Sequence, residues 1–145
     1  MNDNNSLEIR TIDQFRTLCL IDKVTGETLK QWTPFGNDIS EFRRIKPNCN
    51  IIKEDSRQFP KDSNGNQANI YCLDDAFNIK WKINVPLTNN FFPNPIIWDT
   101  EMELNPDKGL IFKINSNVFT CSDWRGVTLT VDYENGIQLK AELTK

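Results

Sequence analysis

The sequence predicts a mainly β protein, an antiparallel β-sandwich or partly open barrel with one short helix. Three observations predict it. Apolar and polar residues alternate with period two over short segments along most of the 145-residue chain. Glycine, asparagine and aspartate turns separate those segments, as at Gly26, Asn105–Gly109, Asp123–Gly126 and Asn135–Gly136. The long crossovers that parallel strands require are missing. The length and the 38% hydrophobic content suit one β-rich domain over residues 1–145 with a real core.

In chain order, Leu7 to Ile12 alternates as a first strand, and Phe15 to Asp22 is a stronger one. Lys23-Val-Thr-Gly-Glu27 turns the chain, and Thr28 to Trp32 returns as the partner strand until Pro34 ends it. Asp38-Ile-Ser-Glu41 has the spacing of a capping box, and Ile39, Phe42 and Ile45 recur every third residue. This predicts a short helix from about Ile39 to Lys46, stopped before Pro47. Arg43, Arg44 and Lys46 then suit the negative end of its dipole, with phosphate binding as the sharper alternative. Glu54 to Gln67 holds Pro60, Ser63-Asn-Gly-Asn66 and one large apolar residue, Phe59, and reads as a mobile surface loop. Asn69 to Leu73 is a short strand, Asp74 to Asn78 a turn, and Ile79, Trp81, Ile83 and Val85 alternate as a half-buried strand. The segment Ile70-Tyr-Cys-Leu-Asp…Trp81 resembles one blade repeat of a quinoprotein-type β-propeller. Propellers need many copies and no second copy is read here, so the resemblance implies only a hairpin.

Leu87 to Pro95 is a loop carrying Phe91 and Phe92, which either plug the core or anchor a partner. A strand follows at Trp98–Leu104, then the turn Asn105-Pro-Asp-Lys-Gly109. Leu110–Ile114 and Val118–Ser122 read as two strands around Asn115-Ser-Asn117. Val127 to Tyr133 and Ile137 to Glu142 alternate on either side of an Asn-Gly turn of type I′ character.

Charge and composition narrow the function. The net charge of −3 is uneven: residues 1–60 carry nine basic and nine acidic side chains, residues 61–145 eight and eleven. Such an acidic balance attracts basic partners and repels phosphate, so direct nucleic-acid binding is not expected. There is no histidine, which removes the commonest general base and metal ligand. No glycine-rich phosphate loop and no G-x-S-x-G motif is present, and the chain does not read as an enzyme. The cysteines at 19, 49, 72 and 121 form no C-x-x-C pair, and Cys19, Cys72 and Cys121 sit in strand patterns as small buried side chains. Residues 1–6 are polar, without an apolar signal core, and no run is long enough to span a membrane. A cytoplasmic protein with reduced thiols is expected.

The segment Trp98-Asp-Thr-Glu-Met-Glu-Leu104 stands out. Alternation sends Trp98, Met102 and Leu104 toward a core, and Asp99, Glu101 and Glu103 to the other face. No basic residue occurs between Lys82 and Lys108, while Asp107 adds a fourth acid. Carboxylates two apart on a strand lie about 6–7 Å apart, too far for three to grip one ion, so neither metal nor cofactor is expected. The row either protects a sheet edge or meets a partner.

The whole chain resembles the single-domain immunity proteins of bacterial contact-dependent growth inhibition systems. The resemblance lies in length, acidity and β-rich pattern, and in Phe119-Thr-Cys-Ser-Asp-Trp-Arg-Gly126 with Val131-Asp-Tyr-Glu-Asn-Gly136, a hairpin with a D-x-E-x-G turn. It implies a cytosolic protein that neutralises a cognate toxin domain, commonly a basic nuclease, by covering its active-site region. That family has no shared motif, so no binding residue is carried over from it. The chain itself nominates Asp99, Glu101, Glu103 and Asp107, with Trp98 or Trp124 and Phe91 or Phe92 as aromatic anchors. The alternative is a single-stranded nucleic-acid binder using Trp81, Tyr133 and the Arg43, Arg44 and Lys46 cluster.

Overall fold

The structure, a computed structural model, describes residues 6–12, 16–85, 88–107 and 109–143, with side chains except at positions 101 and 112–115. Phe15, expected to open the second strand, and Leu87 and Lys108 of the expected loops lie outside those residues.

The described residues form eleven strands in three antiparallel sheets that do not close into a barrel. The first sheet holds β1 (Leu7–Ile12), β2 (Thr17–Asp22) and β3 (Thr28–Trp32). The second holds β4 (Ile39–Lys46), β5 (Cys49–Glu54), β6 (Ile70–Leu73) and β7 (Ile79–Lys82). The third holds β8 (Ile97–Asn105), β9 (Gly109–Ser122), β10 (Val127–Asp132) and β11 (Gln138–Leu143). Each sheet pairs its strands in chain order, as a simple meander.

The second sheet lies between the other two, and strand alternation divides its side chains between two cores. Leu18 and Ile9 of the first sheet pack with Ile52, Tyr71 and Leu73 on one side. Ile51, Ile70 and Cys72 pack with Phe119, Cys121, Leu129 and Val131 of the third sheet on the other. Every residue of β5 and β6 is therefore buried. Polar members of these strands are satisfied internally. Asn69 accepts from Phe92 N–H at 3.1 Å and donates to the carbonyls of Glu54 and Phe92 at 2.9 Å. Glu54 accepts from Phe35 N–H at 3.0 Å, Gly36 N–H at 2.7 Å and the Tyr71 hydroxyl.

The expected helix is absent: residues 39–46 are β4, and no α-helix occurs among the described residues. A bulge explains the misleading spacing. Ile39 pairs with Glu54 and Glu41 with Lys53, so one extra residue is accommodated between them. Ile39 and Phe42 thus share a face although three residues apart, the spacing a helix would give. Glu41, the would-be capping residue, instead accepts from Ile96 N–H at 2.9 Å. Burial of Ile39 against Tyr71 and Leu73 outweighs the local capping signal.

Among the described residues, the Asp74 hairpin, with the register shift beside its turn, has two counterparts. Asp22 and Asp132 end their strands and Asp74 directly follows one, and each folds a side-chain oxygen back onto the second N–H downstream, at Val24, Glu134 and Ala76, all at 2.8–2.9 Å. The Asp carbonyl accepts from the residue of positive φ: Gly26, Phe77 or Gly136. Each hairpin then shifts register at the same place, between Leu20/Ile21, Cys72/Leu73 and Thr130/Val131. The middle copy is one residue shorter, with Phe77 at φ 65 in place of glycine. In the last copy only Gly136 has positive φ, so the Asn135–Gly136 pair is not a type I′ turn. Aligned on these aspartates, the side chains that face the next sheet are Leu18 and Leu20, then Ile70 and Cys72, then Thr128 and Thr130. The last pair is polar, and no described residue stacks a further sheet upon it.

Candidate functional site

The long β8–β9 hairpin places most of the nominated residues. Ile97 and Trp98 pair with Thr120 and Phe119 at its root, and Leu104 pairs with Leu110 next to the tip turn. Between Trp98 and Thr100 the register jumps from Phe119 to Ile114. The segment Asn115-Ser-Asn117, expected to separate two strands, is thus a large bulge inside β9. The Asn117 carbonyl accepts from Tyr133 N–H at 3.1 Å, and its side chain from the Tyr133 hydroxyl at 3.2 Å. The bulge anchors the ribbon's root to the last hairpin.

Beyond the bulge the ribbon leaves the core. Met102, Leu104 and Leu110 share one face by register and are 56%, 75% and 64% exposed. This corrects the expectation that Met102 and Leu104 face a core; of that set only Trp98 does, half-buried with its ring 5.2 Å from Phe119. The other face carries Asp99 and Glu103, both exposed, and Asp107 is exposed in the tip turn. Glu101 lies in β8, but its side chain is outside the described set. Lys113 pairs with Glu101 in the backbone register.

The aromatic candidates separate into three environments. Phe92 is buried and plugs the core between the second and third sheets, so it presents no surface to a partner. Phe91 stacks on Trp124 at 6.3 Å with 13° between the rings, and Trp124 remains 51% exposed. Trp124 is held by its indole N–H to Asn89 O at 2.9 Å, and Arg125 lies 5.3 Å from its ring. This corner follows the end of β9 at Ser122, whereas Leu104 and Leu110 pair at the other end of that strand, beside the tip turn. The acids and the Phe91–Trp124 pair are therefore two surfaces. Trp98 lines a cleft of about 290 Å³ with Glu41, Phe42, Arg43, Ile51 and Ile96, and the Arg43 guanidinium sits 5.1 Å from its ring.

The residues nominated for nucleic acid are committed elsewhere. Trp81 is buried, stacks on Phe119 and donates to Tyr133 O at 2.9 Å, while Tyr133 is itself buried. Arg44 holds Asp75 and Lys46 pairs with Glu134. Burial alone would raise the Asp75 carboxyl, but hydrogen bonds from Arg44 and Asn50 outweigh it and hold it below its ordinary value. Burial pushes the Cys121 thiol up to about 12, and Cys19, Cys49 and Cys72 are buried too. The expected mobile loop 54–67 is tied down: Gln67 donates to Phe59 O at 2.7 Å, and Asn66 to Val85 O at 2.9 Å.

Neither a protein-family model nor a curated protein matches the chain. Among the described residues no group of three or more histidine, cysteine or acidic side chains is placed to hold a metal ion, and no helix is long and apolar enough to cross a membrane. Sequence reasoning missed Leu110 as a site residue. The signal was the five-residue turn Asn105–Gly109, which fixes Leu110 opposite Leu104.

Proposed function

We propose that this protein is a non-catalytic binding module that grips another protein with the outer β8–β9 ribbon. In its specific form it is an immunity protein that neutralises a basic nuclease toxin domain in the cytosol. The observation that carries this reading is the exposure of Met102, Leu104 and Leu110 on a ribbon whose opposite face bears Asp99 and Glu103. Large apolar side chains gathered on a protruding element favour a covered state. Carboxylates on the other face of the same ribbon favour a basic partner and speed the encounter. A nuclease channel is basic because it must hold phosphates, so an acidic arm with an apolar face complements its rim.

The test is a titration of the protein against the nuclease domain encoded immediately upstream, with nuclease activity followed in parallel. Nanomolar binding with loss of activity is expected. No binding would overturn the inhibitor reading. Glu103→Lys should slow association and flatten its salt dependence; unchanged association kinetics would remove the acids from the interface.

A further inference from the structure

The three sheets are built alike but are not equally complete. In the second and third, β4 and β8 pair with the outer edge of β5 and β9. In the first, β1 occupies the place of β5 and β9, and no described strand pairs with its other edge. The direction of its backbone groups follows from one bond. Lys23 N–H donates to Ser6 O at 2.7 Å, which makes Ser6–Lys23 a hydrogen-bonded pair. Antiparallel alternation then assigns Glu8–Ile21 and Arg10–Cys19 to bonded pairs as well. The N–H and C=O groups of Leu7, Ile9 and Thr11 therefore point to the outer edge, a template for another strand.

We infer that β1 pairs antiparallel with β1 of a second copy, about a two-fold axis at Ile9. The strand Leu7-Glu-Ile-Arg-Thr11 is self-complementary in this register. Ile9 meets Ile9 as a hydrogen-bonded pair, and Leu7 meets Thr11. Glu8 of each copy lies opposite Arg10 of the other, at the non-hydrogen-bonded positions where side chains approach most closely. Within one chain, Glu8 and Arg10 already share an exposed face and pair with each other at 2.9 Å. Charge also selects the register. Sliding by two residues keeps the backbone bonding but sets Glu8 against Glu8, or Arg10 against Arg10. The product is a continuous six-stranded sheet across an isologous interface. This contact uses the first sheet and leaves the ribbon on the third uncovered, so it stands apart from the binding reading above.

Sedimentation equilibrium of the full chain across the micromolar range, with charge-swap variants, tests the inference. The expected result is a monomer–dimer equilibrium. Glu8→Arg alone, or Arg10→Glu alone, should weaken it by about tenfold or more, because each sets like charges opposite at both positions. The double variant Glu8→Arg/Arg10→Glu should restore it. Hydrogen exchange supplies a second readout: the amides of Leu7, Ile9 and Thr11 gain protection with concentration, while those of Glu8 and Arg10, bonded to β2, do not change. A monomer at every concentration would overturn the inference. So would a dimer indifferent to the single reversals, or one whose double variant is no better than the singles.

Discussion

The strand β6, Ile70-Tyr-Cys-Leu73, and the outer half of β8, Thr100–Leu104, both carry large side chains at alternate positions. In β6 both alternating sets are buried, one in each core. In the outer β8, Met102 and Leu104 on one face and Glu103 on the other are in solvent. The difference lies in what stands across from each strand. β6 has sheets on either side, whereas the outer β8 has only its hairpin partner, because the bulge at 115–117 carries the ribbon away from the second sheet. Alternation reports which residues share a face and says nothing of whether the face is covered. An apolar face left uncovered is a surface available to a partner.

Substitutions of similar chemistry at the two places should therefore differ sharply. Ile51→Ala in the central sheet should cost about 2–5 kcal/mol in urea unfolding, since it opens a void where relaxation is limited from both sides. Leu104→Ala should stay within about 0.5 kcal/mol of the parent. Comparable losses at both sites would mean that the ribbon is packed.

Glycines of the repeated turn sharpen the contrast at smaller scale. Gly26 and Gly136 hold the same place, at φ 76 and 74. A Cβ at Gly26 meets nothing within 4 Å, whereas at Gly136 it comes within 2.7 Å of the Trp81 ring. Alanine at either costs ~1–2 kcal/mol for the left-handed backbone. Gly136→Ala should cost ~1–3 kcal/mol more by displacing Trp81 from Phe119, which thermal unfolding of the two variants would resolve.

A still smaller effect concerns pH. Burial raises the Glu54 carboxyl above its ordinary 4.5, and the hydrogen bonds from Tyr71, Gly36 and Phe35 only partly offset it. The folded protein then holds a proton that the unfolded chain has released, so stability falls as pH rises from about 4.5 through the raised value. Glu54→Gln should remove that decline. A decline of equal slope in the Glu54→Gln protein would assign it to other groups.

Much of this architecture is legible in the sequence, because side-chain period and turn chemistry are local. Asp22, Gly26, Asp74, Asp123 and Gly136 mark turns that the structure contains. The β4 strand was not legible as a strand, since a bulge gives Ile39 and Phe42 helical spacing. Nor was the threefold repeat, because only the aspartate and the positive-φ residue recur and Phe77 replaces glycine in one copy. At the site, the exposure of Asp99, Glu103 and Asp107 could be read from sequence. The burial of Phe92 and the exposure of Met102 and Leu104 could not, since they depend on which sheet lies opposite.

The most direct test of the ribbon as a binding arm is one calorimetric titration, run twice, against the product of the gene immediately upstream, where the proposed function expects a nuclease domain. One run uses the parent protein and the other Leu104→Asp/Leu110→Asp, whose exposed sites leave the fold intact. Nanomolar binding by the parent and at least about a hundredfold weaker binding by the variant, roughly 2.7 kcal/mol, is the predicted result. Equal affinity in the two runs, or no binding by the parent, would contradict it.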